Sequence, residues 1–254
     1  MSRILVSLFA LVAALYLGLC AALFVFQRSL IYYPQPRAIS TPATTLKLPV
    51  ADADVLVSVR PHDGPNALIY FGGNAEDVSL SLPTFSQAFP EHALYLLHYR
   101  GYGGSSGSPS EDSIQRDALA LFDQVYAEHP GIAIVGRSLG SGVAVSLASQ
   151  RPAARLILIT PYSSLEELAA SQFPYFPVKW LLQDKFESWR YASRIAVPTL
   201  LIAAEHDEVI PRSSTEQLYA HFAKGVASLQ VIPGTGHNSI SESPQYLKLL
   251  GAAL

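Results

Sequence analysis

The sequence is poor in the residues on which several classes of protein depend. Cys20 is the only cysteine among 254 residues, so it has no partner for an intrachain disulfide and cannot complete a zinc site. The seven histidines contain no pair spaced four residues apart. Charged residues make up 15% of the chain, and the formal net charge of −3 provides no basic field for nucleic acid. We therefore expect no metal, no cofactor and no nucleic-acid partner.

Nucleotide-binding loops are also missing. The glycine-rich segment from Gly101 to Gly107 has its third glycine one place too late for G-x-G-x-x-G, and no helix follows it directly. The phosphate-binding motif G-x-x-x-x-G-K-[ST] does not occur. The segment is therefore interpreted as a turn-rich loop.

What the sequence does contain is a strand, a sharp turn and a helix around one serine. Gly136-Arg137-Ser138-Leu139-Gly140 spells G-x-S-x-G between the apolar run 132–135 and a helical pattern. A serine at such a turn has a strained backbone and a projecting hydroxyl, and the flanking glycines leave space that a Cβ would fill. This context makes Ser138 a candidate nucleophile, although a serine at an ordinary turn also caps helices.

A serine nucleophile needs a base and an acid, and both follow later in the chain. Asp207 comes just after a predicted strand, and His237 lies in a glycine-rich loop after the next one. The chain order Ser, Asp, His is that of the α/β-hydrolases. Glu205 and Glu208 remain alternatives for the acid, because only geometry decides which carboxylate reaches the imidazole. His206 is interpreted as a surface residue.

Acyl transfer also needs donors for the developing oxyanion. The main-chain N–H of Leu139, directly after the nucleophile, is the first candidate. The second is the main-chain N–H of Asn74, which follows Gly72 and Gly73 after an early strand and which we expect to open a helix.

Short apolar runs alternate with helical patterns, which predicts a mostly parallel sheet covered by helices on both faces. The predicted strands are 55–60, 67–71, 93–99, 132–135, 156–160, 199–203 and 229–232, and the predicted helices are 112–128, 138–150, 213–222 and 244–254. The proline- and threonine-containing stretch 34–49 is interpreted as a connector.

An apolar segment precedes this domain. The 23 residues from Ile4 to Phe26 carry no charge and are long enough to cross a bilayer, with Arg3 before them and Arg28 after them. A cleaved signal peptide is the alternative, and the flanking charges do not decide the orientation. We expect residues 1–33 to act as a membrane anchor that contributes membrane affinity and no catalytic group. A chain beginning at Pro34 should then keep its activity on a soluble ester within about threefold.

Several motifs in their order resemble one family. They are Gln27 to Pro34, Phe71 to Ala75, Tyr99 to Gly107, Gly136 to Gly140, Thr160 to Leu165, Asp207 to Pro211 and Gly236-His237. The chain resembles the membrane-anchored α/β-hydrolases of the bud-emergence-like group, relatives of depalmitoylases and lysophospholipid hydrolases. The resemblance implies the α/β-hydrolase fold over residues 34–254, Ser138 as nucleophile, Asp207 as acid, His237 as base, and main-chain donors at Asn74 and Leu139. Gly72 and His98 depart from the family pattern, which usually has His and Asp there.

Residues 161–190 interrupt the alternation with many aromatic side chains. Such an insertion commonly caps the site of an α/β-hydrolase, so these residues either line an acyl pocket or pack on the main domain. Together these features predict a membrane-anchored serine hydrolase that cleaves esters or thioesters of an acyl substrate. A peptidase or amidase of the same fold and a catalytically silent binding module are the alternatives. The oligomeric state is not predicted.

Overall fold

The computed structural model of the protein describes residues 3–254. An eight-stranded sheet forms its centre, in the strand order β1-β2-β4-β3-β5-β6-β7-β8. The strands are β1 Thr45–Val50, β2 Ala53–Arg60, β3 Asn66–Phe71, β4 Ala93–Leu97, β5 Gly131–Arg137, β6 Arg155–Ile159, β7 Thr199–Ala204 and β8 Ala227–Ile232. Strand β2 is antiparallel to both of its neighbours, and all other pairs are parallel. The predicted α/β-hydrolase architecture is confirmed.

Helices cover both faces of this sheet. The helices of the described residues, on the sheet and beyond it, are α1 Arg3–Ile31, α2 Ser81–Ala88, α3 Glu111–Tyr126, α4 Leu139–Ala148, α5 Leu165–Gln172, α6 Val178–Leu181, α7 Trp189–Ala192, α8 Arg212–His221 and α9 Pro244–Ala253. The sheet has a hydrophobic core on each face, and alternate residues of β3 belong to different cores. Ile69 and Phe71 pack into the core that contains α3 and α4, whereas Leu68 and Tyr70 pack into the core that contains α2 and α9.

Two local expectations were wrong. The end of the supposed connector, residues 34–49, forms β1. This strand lacks an apolar run because it lies at the edge of the sheet, where Leu48 is its one buried residue and Pro49 is tolerated. Asn74 does not open a helix. It lies in a turn, and the next helical residues are the 3₁₀ helix Val78–Leu80, which leads into α2.

The aromatic insertion between β6 and β7 folds as the short helices α5, α6 and α7, which form a small helical cap. Helix α1 is long and apolar enough to cross a membrane. Met1 and Ser2, the first residues of the predicted 1–33 segment, lie outside the described residues.

Candidate active site

Ser138 lies at a strained turn between β5 and α4. Its backbone angles are φ 49° and ψ −118°, in a region that side-chain-bearing residues rarely adopt, and its N–H donates to the Ile159 carbonyl at 2.9 Å. A Cβ at Gly140 would overlap the carbonyl oxygen of Phe71, and one at Gly136 would overlap that of Gly140. Both glycines are therefore required for α4 to start this close to the sheet.

A continuous chain of hydrogen bonds joins the serine, the histidine and one aspartate. His237 Nε2 lies 2.9 Å from Ser138 Oγ, and His237 Nδ1 lies 2.9 Å from Asp207 Oδ2. The Asp207 carboxylate also accepts hydrogen bonds from the N–H groups of Val209 and Ile210, at 2.9 and 2.7 Å. These two main-chain donors orient the carboxylate towards the imidazole.

The fold explains how residues so far apart in sequence come together. Ser138 follows β5, Asp207 follows β7 and His237 follows β8, and these strands run parallel in the same sheet. Parallel strands bring their carboxyl ends to one edge, where open α/β sheets place their sites.

The neighbouring acidic residues have other partners. Glu205 accepts a hydrogen bond from the Gly234 N–H at 2.7 Å, and Glu208 accepts one from the His237 N–H at 3.1 Å. The bond from His237 is the main cause that lowers the pKa of Glu208. His206 points to solvent, with its side chain 72% exposed. Among the three candidate acids, Asp207 is the one whose carboxylate reaches the His237 ring.

The loop after β3 passes beside the serine. A Cβ placed on Gly73 would lie 3.7 Å from the Cβ of Ser138. The Gly73 N–H already donates to Glu76 Oε2 at 2.8 Å, so the next donor along this loop is the N–H of Asn74. Leu139 is the first residue of α4, and its N–H therefore belongs to the helix N-terminus, where intrahelical acceptors are missing. Asn74 and Leu139 line the same cavity as Ser138, and their role as oxyanion donors stays a prediction.

Two tyrosines hold this loop in place. Tyr99 Oη donates to the Gly72 carbonyl at 2.8 Å, and Tyr102 Oη donates to the Asn74 carbonyl at 2.6 Å. Burial raises the pKa of both hydroxyls, so both remain protonated donors. The glycine-rich segment near Tyr102 is therefore a support for the loop, a role that its sequence did not reveal.

A partly buried polar network links the same loop to the serine turn. Glu76 accepts from Tyr70 Oη at 2.7 Å through one oxygen, while its other oxygen accepts from Gly73 and lies 3.5 Å from Arg137 Nη1. Arg137 Nη2 in turn donates to the His237 carbonyl at 3.4 Å. Glu76 and Arg137 therefore connect the loops after β3, β5 and β8, and nothing in the sequence singled out Glu76.

His98, one of the departures from the family pattern, lies outside this network. Its Nε2 is 2.8 Å from Ser58 Oγ within the core. Burial lowers the pKa of His98 to about 4, so the ring is neutral near pH 7.

A mainly apolar cavity of about 300 Å³ ends at Ser138. One side of the cavity is formed by the cap. The other is formed by residues of α1 and by Tyr33. None of the described residues that line it carries a charge. Its lining residues are Leu23, Gln27, Leu30, Ile31, Tyr33, Asn74, Ser138, Leu139, Tyr162, Leu165, Leu168, Ala169, Gln172, Phe173, Phe176, Val178, Leu181, Leu182, Val209 and Ile210.

The two expectations for the aromatic insertion are both met in part. Phe173 and Phe176 line the cavity, whereas Phe186 is buried in the main core and Trp189 packs against His221. The participation of α1 was not expected, because the sequence separates an anchor from a catalytic domain. No sequence signal beyond the polar Gln27 near the end of the apolar run marked this contact.

Known proteins resemble this chain over most of its length. A family model described as serine aminopeptidase, S33, matches residues 85–192 and 186–244. An uncharacterized protein of Mycobacterium tuberculosis is 36% identical over 90% of this chain and 86% of its own. Protein bem46 of Schizosaccharomyces pombe is 27% identical over 77% of this chain and 69% of its own. Lysophosphatidylserine lipase ABHD12 of Macaca fascicularis is 32% identical over 72% of this chain, a match that spans 54% of that enzyme.

Solved structures agree on the fold. An esterase of Pyrococcus furiosus superposes with a TM-score of 0.69 at 19% identity, over 88% of this chain and 97% of its own. A likeness at this identity concerns the fold, while the family model and the sequence relatives establish the kinship. The chain therefore belongs to the α/β-hydrolase family described as serine aminopeptidase, S33, and is a hydrolase with relatives in the bem46 and ABHD12 proteins.

Proposed function

We propose that this protein is a serine hydrolase that cleaves carboxylic esters or thioesters of acyl lipids through an acyl-enzyme on Ser138. The observation that carries the proposal is the hydrogen-bonded chain from Ser138 through His237 to Asp207. A serine hydroxyl becomes nucleophilic when a histidine accepts its proton and a carboxylate holds that histidine in the right tautomer.

In the first half of the reaction, Ser138 Oγ attacks the substrate carbonyl carbon and His237 Nε2 takes the hydroxyl proton. The carbonyl oxygen becomes an oxyanion next to the N–H groups of Leu139 and Asn74. When the tetrahedral intermediate collapses, the bond to the alcohol or thiol breaks and His237 returns the proton to that leaving group. Asp207 stabilises the imidazolium and stays ionised.

In the second half, water attacks the acyl-enzyme carbonyl and gives one proton to His237. The bond to Ser138 Oγ then breaks, the serine recovers its proton and a carboxylic acid leaves. No cofactor or metal is needed in this scheme. The cycle consumes one water and returns every group of the enzyme to its starting state.

The cavity supports an acyl substrate over a peptide. An aminopeptidase binds the free amine of its substrate, which calls for an acidic side chain near the nucleophile. The described cavity residues include no acid, and aliphatic and aromatic side chains predominate. The lipase ABHD12 is named for a lysophospholipid substrate, which agrees with this choice. We also propose that α1 anchors the protein in a membrane, since its length and hydropathy suffice for one crossing.

The test uses the full chain in detergent and a fluorophosphonate probe. We expect wild-type protein to be labelled, and Ser138→Ala to lose labelling and about 10⁴-fold in turnover of p-nitrophenyl octanoate. Thermal unfolding should be unchanged, because the side chain is small. Continued labelling of the variant would place the nucleophile elsewhere.

A substrate panel checks the bond type. Octanoyl esters and thioesters should be hydrolysed, and an aminoacyl p-nitroanilide should react at least 100-fold more slowly. A preference for the anilide would instead support the peptidase alternative.

A further inference from the structure

Helix α1 presents one face to the rest of the protein. Most of its described residues are exposed, and those that are not lie at Ala13, Cys20, Leu23, Gln27 and Ile31. Spacings of three, four and seven residues place these positions on a single side of a helix. The stripe faces the cap, so α1 is packed against the domain along its second half.

Polar contacts fix the end of α1 in this position. The Gln27 side chain accepts from the Gln183 N–H at 2.7 Å and donates to the Leu181 carbonyl at 3.1 Å. Arg28 forms an ion pair of 3.0 Å with Asp184, whose side chain is almost fully buried. These contacts tie one end of α1 to the end of α6 and the residues after it, and so hold α1 beside the cavity.

Leucines of the same face complete the cavity that leads to Ser138. Leu23 and Leu30 line it from α1, opposite Leu168 and Phe176 of the cap. The volume of about 300 Å³ lies at the small end of the range for ligand sites, which suits one chain better than two. The side chains that confine a ligand next to Ser138 thus come partly from the membrane helix.

The cap extends along α1 into its apolar run. The Tyr16 ring stacks on Phe176 with centroids 5.8 Å apart, and Tyr16 Oη donates to the Tyr175 carbonyl at 2.9 Å. Tyr16 precedes Arg28 by 12 residues, about 18 Å along a helix axis. A bilayer leaflet contributes a hydrocarbon layer of about 15 Å. With Arg28 at the headgroups, the tip of the cap lies within hydrocarbon.

Two exposed aromatic side chains of the cap suit such a location, Tyr175 beside Tyr16 and Trp180 next to Leu181, whose carbonyl binds Gln27. Tyr175 and Trp180 are 86% and 82% exposed, which is unusual for large rings next to an apolar cavity. In a bilayer both rings are covered, and the nearby Lys179 is long enough to extend its charge towards the headgroups.

We propose that the last turns of α1 form one wall of the acyl-binding site, and that the acyl chain of a membrane lipid enters between α1 and the cap directly from the bilayer. The inference rests on the proposed esterase function. An acyl chain that follows this route stays in apolar surroundings from the leaflet to Ser138, and therefore avoids the cost of exposing each methylene to water. The ligand class is a lipid that places one ester-linked chain in the cavity.

The first test examines whether α1 limits the length of the acyl chain that the cavity accepts. Leu23→Trp fills the cavity from the α1 side, and Val25→Trp introduces the same side chain at a position of α1 that is 68% exposed and does not line the cavity. In full-length protein in mixed micelles, kcat/KM is measured for p-nitrophenyl esters of 4 to 16 carbons. Leu23→Trp should lower the ratio of the 16-carbon to the 4-carbon value at least tenfold. Val25→Trp should leave the ratio within twofold of wild type.

The outcome separates this inference from the proposed function. Equal profiles for the two variants would show that α1 is not a wall of the acyl site, even if fluorophosphonate still labels Ser138. If fluorophosphonate failed to label the wild-type protein, the serine mechanism itself would be refuted.

The second test locates the entrance, using the two tryptophans of the chain. Trp189→Phe leaves Trp180 as the only tryptophan, and Trp180→Phe leaves Trp189, which packs against His221. Both proteins are reconstituted in vesicles containing phosphatidylcholine brominated within its acyl chains, which quenches tryptophan in the hydrocarbon. Trp180 emission should be quenched at least threefold more strongly than Trp189 emission. Equal or weaker quenching of Trp180 would show that the cap faces water, and lateral entry would be wrong.

Discussion

The side-chain amide of Asn74 donates a hydrogen bond of 2.9 Å to the carbonyl oxygen of Ile31, the last residue of α1. A second hydrogen bond has the opposite direction. The Tyr33 N–H donates to the Asn74 carbonyl at 3.0 Å. The end of the apolar helix is therefore attached to the loop that borders Ser138. A segment that the sequence presents as an anchor also supports the site.

Asn74→Asp tests this attachment without changing the size of the side chain. A carboxylate cannot donate, and it would face the Ile31 carbonyl as a second acceptor. We expect kcat for p-nitrophenyl butyrate to fall about tenfold with little change in KM, because the loop holds an oxyanion donor. The kcat of Asn74→Ala should fall less, since this change removes the hydrogen bond to Ile31 without adding repulsion. Full activity in both variants would show that the attachment is unimportant.

Removal of residues 1–33 should affect the chemistry itself. The shorter chain loses the Ile31 acceptor, the Tyr33 donor and one wall of the cavity. We expect kcat/KM for p-nitrophenyl butyrate to fall at least tenfold, in contrast to the threefold limit that the sequence suggested. Thermal unfolding in the same detergent checks that the chain beginning at Pro34 is folded. A folded chain with activity within threefold would restore the earlier expectation.

Asp207→Asn should reduce turnover about 10⁴-fold, because an amide beside His237 Nδ1 favours the wrong imidazole tautomer. Glu205→Gln is the matched control, since the partners of this carboxylate among the described residues are the Gly234 N–H and His206, and it does not reach the His237 ring. We expect it to cost less than tenfold. The comparison is made on kcat/KM for p-nitrophenyl butyrate, and equal losses would reassign the acid.

Glu76→Gln should lower kcat by 10- to 100-fold through the position of the Gly73 loop. A glutamine has one acceptor oxygen where Glu76 has two, and it leaves the mostly buried Arg137 without its countercharge. Tyr70→Phe removes another partner of the same carboxylate but keeps the Gly73 contact, so it should cost less than threefold. Similar losses in kcat for the two variants would mean that the contact between Glu76 and Gly73 is not the cause.

The buried His98 predicts a loss of stability in mild acid. Its pKa is about 4 in the folded protein and near 6.5 when the chain unfolds. Between these two pH values the unfolded chain binds a proton that the folded protein does not. The contribution of His98 to the free energy of unfolding is therefore fully present above about pH 6.5 and decreases as the pH falls towards 4. The decline is at most about 1.4 kcal/mol per pH unit. The fall in Tm between pH 7.5 and 5.0 should be smaller for His98→Gln, and equal falls would exclude this cause.

Local patterns in the sequence determined the parts of the protein that depend on neighbouring residues. The apolar runs set the strands of the parallel sheet, and the glycines around Ser138 set the strained turn, because each pattern acts within a few residues. The order of Ser138, Asp207 and His237 along the chain also follows from sequence alone. Parallel strands then bring their carboxyl ends together whatever the loops contain.

Tertiary structure decided the relationships between distant segments. The choice of Asp207 over Glu205 depends on which carboxylate points at the imidazole, and that direction is fixed by the main-chain donors of the folded loop. The edge strand β1 gave no apolar run because only one of its side chains is buried. The docking of α1 through Gln27 depends on packing against cap residues about 150 positions away, where no local pattern can indicate the partner.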